Sequence, residues 1–250
     1  MSGHSKWATI RRKKALIDSK RGASFTKVIR EIIVAAKSGG DVNTNARLRT
    51  VVEKAKAVNM PFDNIKKAIQ KGTGELPGVT YEEITYEAYG PAGVAVLINV
   101  TTDNKNRSAA DLRALLLKSN GSMGSVGSVA WQFEQKGFIS VPKESIDEES
   151  LMEVALEAGA QDIKNEEDSY DIITEPAEFE AVKKALEAKS IKPATAEVTM
   201  VPKTYVKLTG KSAESMLKLM DALEENEDVS NVYANFDISK EEMDRIESQP

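Results

Sequence analysis

Cysteine is absent from this chain of 250 residues, which excludes disulfides, thiolate metal sites and thiol nucleophiles and fits a reducing compartment. Histidine occurs once, as His4, so neither a histidine-based triad nor a multi-histidine metal site can be assembled within one chain. No apolar run reaches the length of a signal peptide or a membrane span. A cytoplasmic location and no membrane partner are therefore expected.

Charge is plentiful, and it is segregated. Residues 1–74 hold 17 of the 34 Lys and Arg but only five of the 39 Asp and Glu, a net +12 against −17 for the remainder. The overall charge of −5 hides a basic module large enough to hold a polyanion, which makes nucleic acid the leading partner. With 41% hydrophobic residues the chain can bury more than one core, and at about 100–150 residues per domain two or three domains are expected.

The basic segment reads as a small helical bundle. Ser24 is expected to cap a helix over 24–37 in which Phe25, Val28, Ile29, Ile32, Ile33 and Ala36 recur at helical spacing, with Gly39 as a stop. A second helix over 44–58 buries Leu48, Val51, Val52 and Ala55. A third begins at Pro61, uses Phe62, Ile65 and Ile69, and ends at Gly72. Ahead of them, Arg11-Arg12-Lys13-Lys14 and Lys20-Arg21-Gly22 have little to bury. These cations suit phosphates, and Trp7 either stacks on an exposed base or packs on the bundle. His4 is either a solvated tail residue or a phosphate or base contact.

The candidate nucleic-acid contacts are thus His4, Lys6, Trp7, Arg11, Arg12, Lys13, Lys14, Lys20, Arg21, Lys27 and Arg30. Arg47, Arg49, Lys54, Lys66, Lys67 and Lys71 join them from the two subsequent helices.

The remainder alternates strands and helices. Runs over 81–88 and 93–101, separated by Tyr89-Gly90-Pro91-Ala92, read as a hairpin. Ser108 opens a helix with Asp111 at capping-box spacing. From Gly137 the order is strand, helix, two strands, helix and strand, which is a ferredoxin-like βαββαβ unit. The three elements after it, a strand over 205–208, a helix over 213–224 and a strand over 229–236, make a poor core alone. With the hairpin, the 108–120 helix and a strand near 126–133 they complete a second α/β sandwich. The expected fold is α+β in three domains: a basic helical domain over 1–78, a discontinuous middle α/β domain over 79–136 plus 203–250, and an inserted ferredoxin-like domain over 137–202.

Several apparent active-site motifs fail. Thr209-Gly210-Lys211-Ser212 has the tail of a phosphate-binding loop but Tyr205 where the first glycine should stand. Gly121, Gly124 and Gly127 are spaced GxxGxxG and come after a helix, unlike a dinucleotide fingerprint. The loop holding Asp103, Asn104, Asn106 and Arg107 is either turn and capping chemistry or a polar contact loop for RNA or protein. Acidic runs such as Glu166-Glu167-Asp168 and Glu224-Glu225 read as solvated faces. No enzyme activity, metal, cofactor or small-molecule substrate is expected, and no dimer seam stands out, so a monomer is expected.

Gly3-His4-Ser5-Lys6-Trp7, Phe25-Thr26-Lys27, Ile29-Arg30-Glu31-Ile32, Asn59-Met60-Pro61, Asn64-Ile65 and Lys71-Gly72-Thr73-Gly74 resemble the N-terminal signature of the YebC/PmpR family. Tyr86-Glu87, Gly90-Pro91, Thr102-Asp103-Asn104, Asn106-Arg107 and Gly127-Ser128-Val129 continue the resemblance over essentially the whole chain. It implies a helical N-terminal domain and two α/β domains. It also implies a regulator of gene expression, since members were described as DNA-binding transcriptional regulators, while others, including the mitochondrial translational activator of cytochrome c oxidase, act with the ribosome. The partner expected is therefore DNA, or ribosomal RNA within a ribosome-associated translation factor.

Overall fold

The computed structural model describes residues 21–166 and 168–248. They form helices and mainly antiparallel sheets, divided into two compact units, one of 21–129 with Thr209–Val232, the other of Ala130–Leu208 with 233–248.

The first unit opens with three helices. α1 (Arg21–Ala36) already includes Ser24, which is therefore not its cap. α2 (Ala46–Ala57) is capped by Asn45, whose side chain accepts from Leu48 N at 3.0 Å, a bond worth about 1 kcal/mol. Lys54 and Lys56 in its last turn complement the exposed carbonyls. α3 (Phe62–Thr73) runs through Gly72 and stops at Gly74, which takes the left-handed conformation with φ 83°. Gly72 serves packing instead of termination: a Cβ there would lie 2.4 Å from Ile33 O and 2.6 Å from Ala36 Cβ. The apolar stripes close over Val28, Ile32, Leu48, Val52, Ile65 and Ala68. Phe62, expected inside, is 72% exposed.

The same unit continues into β1 (Glu82–Tyr89) and β2 (Ala95–Thr102), an antiparallel hairpin in which Thr85 faces Asn99. α4 (Lys105–Lys118) is next; its cap is Asn104, which accepts from Arg107 N at 3.1 Å, while Ser108 lies buried inside the helix. The Ser108 and Asp111 capping box is therefore not formed. β3 (Ser122–Met123) pairs with β1. The strand expected near 126–133 is mostly turn and 3-10 helix, with Gly127 at φ 83° and Val126 98% exposed. Its pinning is specific: the buried Glu87 carboxylate accepts from Gly127 N at 2.5 Å and Val129 N at 2.6 Å. α7 (Gly210–Glu225) buries Met216, Leu219, Met220 and Leu223, and β9 (Val229–Ala234) joins beside β2, giving the order β3-β1-β2-β9.

The second unit holds β4 (Phe133–Pro142), α5 (Glu148–Glu157), β5 (Ala160–Asn165), β6 (Ser169–Thr174), α6 (Phe179–Ala188) and β7 (Thr195–Pro202). Their order, β5-β6-β4-β7 with every neighbour antiparallel, is the split arrangement of a βαββαβ unit. Ile139, Val141, Leu151, Ile172, Val182 and Leu186 form its core. β4 starts at Phe133, ahead of the expected Gly137. β8 (Val206–Lys207) and β10 (Phe236–Asp237) pair in parallel, so the 205–208 strand lies outside the four-stranded sheets. α8 (Lys240–Glu247) was not foreseen in the sequence.

Candidate nucleic-acid interface

The proposed cations separate into those that the chain ties to itself and those that it leaves facing solvent. On α1, Lys27 Nζ donates to Glu224 O. Burial lowers the Lys27 amine to about 8, with the neighbouring Glu224 charge opposing the shift. Arg30 donates to Glu227 O at 2.7 Å and Asp228 Oδ1 at 2.7 Å, and its guanidinium lies 5.5 Å from the centre of the Tyr81 ring. Neither side chain is placed as a free phosphate ligand. Arg21 begins α1; His4, Lys6, Trp7, Arg11, Arg12, Lys13, Lys14 and Lys20 lie outside the described residues.

On α2, Arg47 pairs with Glu83, and Lys54 with Glu31 at 2.8 Å. Arg49 donates to Val42 O at 3.0 Å and to Asn43 O at 2.6 Å, contacts that orient the guanidinium without cancelling its charge. All three remain exposed. On α3, Lys66, Lys67 and Lys71 are exposed and form no ion pair among the described residues. Lys56, on α2, has the same character. These four ammonium groups can meet phosphates without first breaking an internal contact. Exposed Phe62 begins the same helix as Lys66, Lys67 and Lys71, a position that periodicity alone assigned to the core.

The candidate contact loop is built largely into the fold. Thr102 Oγ1 accepts from Asn104 N at 3.0 Å, and Asn104 caps α4. Arg107 donates to Asp103 Oδ1 at 2.8 Å and Asp228 Oδ2 at 3.0 Å. Asn106 is exposed, and its side chain forms no hydrogen bond among the described residues. The capping function is thus visible for Asn104, and Arg107 braces the loop against Asp228.

Asp228 is the centre that sequence reasoning missed. Its buried carboxylate receives Ser108 Oγ at 2.6 Å, Thr102 Oγ1 at 3.1 Å, Arg107 and Arg30. Burial pushes this carboxyl upward, but the hydrogen bonds from Ser108, Arg107 and Thr102 with the Arg107 charge hold it below the usual carboxylate range. No local motif announces it, because its partners come from α1, β2 and α4. Among the described residues no group of three or more His, Cys, Asp or Glu is placed to hold a metal ion, and no helix is long and apolar enough to cross a membrane.

Comparison with known proteins covers both the helical segment and the α/β remainder of the chain. A family profile described as the TACO1/YebC protein N-terminal domain matches residues 5–75. Another, described as the TACO1/YebC second and third domain, matches residues 81–236. A Geobacter sulfurreducens protein named probable transcriptional regulatory protein GSU1074 is 59% identical over 247 residues, 98% of this chain and 100% of that protein. A probable transcriptional regulatory protein of Geotalea uraniireducens is 57% identical, with 98% of this chain and 100% of that one covered. The crystal structure of a conserved hypothetical protein, Aq1575 from Aquifex aeolicus, is similar with a TM-score of 0.78 and 44% identity, covering 90% of this chain and 94% of that one.

Proposed function

Because the chain belongs to the TACO1/YebC family, whose members similar to it are named probable transcriptional regulatory proteins, we propose that it is a non-enzymatic regulator of gene expression that binds DNA through the cations of α2 and α3. The observation that carries this reading is the set of exposed α3 lysines, Lys66, Lys67 and Lys71, which form no ion pair among the described residues. They lie in a segment of net charge +12, where phosphate binding releases counterions and relieves the repulsion among the lysines themselves.

The test is a salt series of fluorescence-anisotropy titrations with labelled duplex DNA, comparing the full chain with a Lys66→Gln, Lys67→Gln, Lys71→Gln variant. If each lysine neutralises one phosphate, the log–log slope becomes shallower by about 2.7 on duplex DNA. An unchanged slope and affinity defeat the reading. A structured RNA hairpin is titrated at matched salt, and tighter binding to it would move the target from DNA to RNA while keeping the same cations in contact.

A further inference from the structure

Within the first unit a cleft of about 410 Å³ opens among α1, α2, β1, β2 and β9. Three kinds of group line it. Arg47 and Glu83, which pair with each other, and Glu31, which pairs with Lys54, bring charges that are already matched. Val51 supplies an apolar surface. Thr85, Asn99 and Asn231 supply uncharged hydrogen-bonding groups.

The uncharged groups identify the ligand chemistry. Thr85 and Asn99 face each other across the hairpin, and Thr85 Oγ1 donates to Asn99 Oδ1 at 3.0 Å. That bond fixes the Asn99 amide and leaves its Nδ2 donors without a partner among the described residues. Asn231 is exposed, with neither its amide oxygen nor its amide nitrogen engaged among them. Paired donor and acceptor groups on amides match the edges of nucleobases, and an apolar wall beside them suits a base face. A free phosphate finds no uncompensated cation in the cleft. Exposed Arg49 and Lys56 share α2 with Arg47 and Val51, which gives the attached sugar–phosphate chain cations on the same helix.

We propose that this cleft receives one unpaired nucleobase of the bound nucleic acid, with Asn99 and Asn231 contacting its edge. The inference rests on the nucleic-acid reading above and adds a demand on the target, which must offer a single-stranded or locally opened segment. A base stacked within an intact duplex cannot enter.

Short DNA and RNA strands of one sequence, each intact or with a single abasic position moved along it, test this by titration against the full chain. One abasic position is expected to weaken binding about tenfold, the loss of one base's contacts. Asn231→Ala and Asn99→Ala should bring the intact strand close to the affinity of that abasic strand. Asn231 is exposed, so its variant separates loss of contact from loss of folding. The sugar giving the larger abasic effect identifies the source of the base. Equal binding of intact and abasic strands, or an abasic effect undiminished in both variants, overturns the cleft proposal and leaves the lysine surface standing. A wild-type chain that binds neither strands nor duplex overturns both.

Discussion

Arg30 Nη1 donates to Asp228 Oδ1 at 2.7 Å, although 198 positions separate the two residues. The bond ties α1 to the turn between α7 and β9, and Asp228 passes the connection to β2 and α4 through Thr102, Arg107 and Ser108. The helical segment and the first sheet therefore share a buried ionic junction. Asp228→Ala takes the buried carboxylate from Arg30, whose side chain is only 12% exposed, leaves it the Glu227 contacts alone as hydrogen-bond partners, and removes one of the acceptors of Ser108. A loss of about 3–5 kcal/mol is expected in denaturant unfolding of the first unit. An effect near zero would mean that the junction is solvated and energetically idle.

The junction also sets an acid dependence. The Asp228 carboxyl is held below its ordinary value in the folded chain, so the folded state binds its proton less readily than the unfolded state does. Its stabilisation is complete above the unfolded value of about 3.9 and is lost as pH falls through the lower folded value. Asp228→Asn should flatten this acid limb of the stability profile. An acid limb identical to that of the wild type would place the titration elsewhere.

Lys27 has the opposite consequence. Its amine is lowered by burial to about 8, so between about 8 and about 10.4 the folded chain is deprotonated there while the unfolded chain is still charged. Stability contributed by this group therefore rises with pH across that window, and below it the charged amine weighs against folding. Lys27→Met should remove the rise, measured as denaturation midpoints across the alkaline range. A rise of the same size in the variant would exclude Lys27 as its origin.

The sequence makes the periodic elements legible and conceals the contacts that depend on distant partners. The three basic helices, the hairpin and the strand–helix order after it are set by apolar spacing and turn residues. Phe62 fits the same spacing as Ile65 and Ile69, yet is 72% exposed. Side chains lean toward a helix N-terminus, so a first-turn residue can project beyond the surface that its helix covers. Asp228 closes an acidic run that looks solvated, and its partners Arg30, Thr102, Arg107 and Ser108 are set by tertiary packing alone. Of the candidate cations, charge identified the segment; only packing distinguishes tethered Lys27 and Arg30 from Lys66, Lys67 and Lys71. Val126 and Phe133 are apolar ends of a segment that Gly127 and the Glu87 contacts turn into a loop.

Gly72 gives a direct test of helix contact. Alanine is the better helix former by about 1 kcal/mol, so Gly72→Ala stabilises α3 if nothing else changes. A Cβ 2.4 Å from Ile33 O cannot be accommodated by a side-chain rotation, because the obstructing atom is backbone. α1 and α3 must separate, and a net loss of about 1–3 kcal/mol is expected from the overpacking. The measurement is the midpoint of helical unfolding; a stabilised variant would show that the helices slide apart without penalty.

The proposed insertion is testable by fragments whose boundaries match the observed pairing. β4 begins at Phe133, and Phe133, Glu134, Gln135 and Lys136 face Pro202, Val201, Met200 and Thr199 of β7. A fragment cut at Gly137 loses those pairs, whereas 133–202 keeps all four strands, both helices and the core around Ile139, Leu151, Ile172 and Leu186. Expressed alone, 133–202 should unfold cooperatively and at higher denaturant than 137–202. The 205–250 fragment should show no cooperative transition, because the apolar face of α7 and the edge of β9 are completed by residues outside it, including β2. A noncooperative 133–202 fragment, or a cooperatively folded 205–250 fragment, would defeat the insertion arrangement, since either result would show that the chain between Phe133 and Pro202 is not the self-sufficient part.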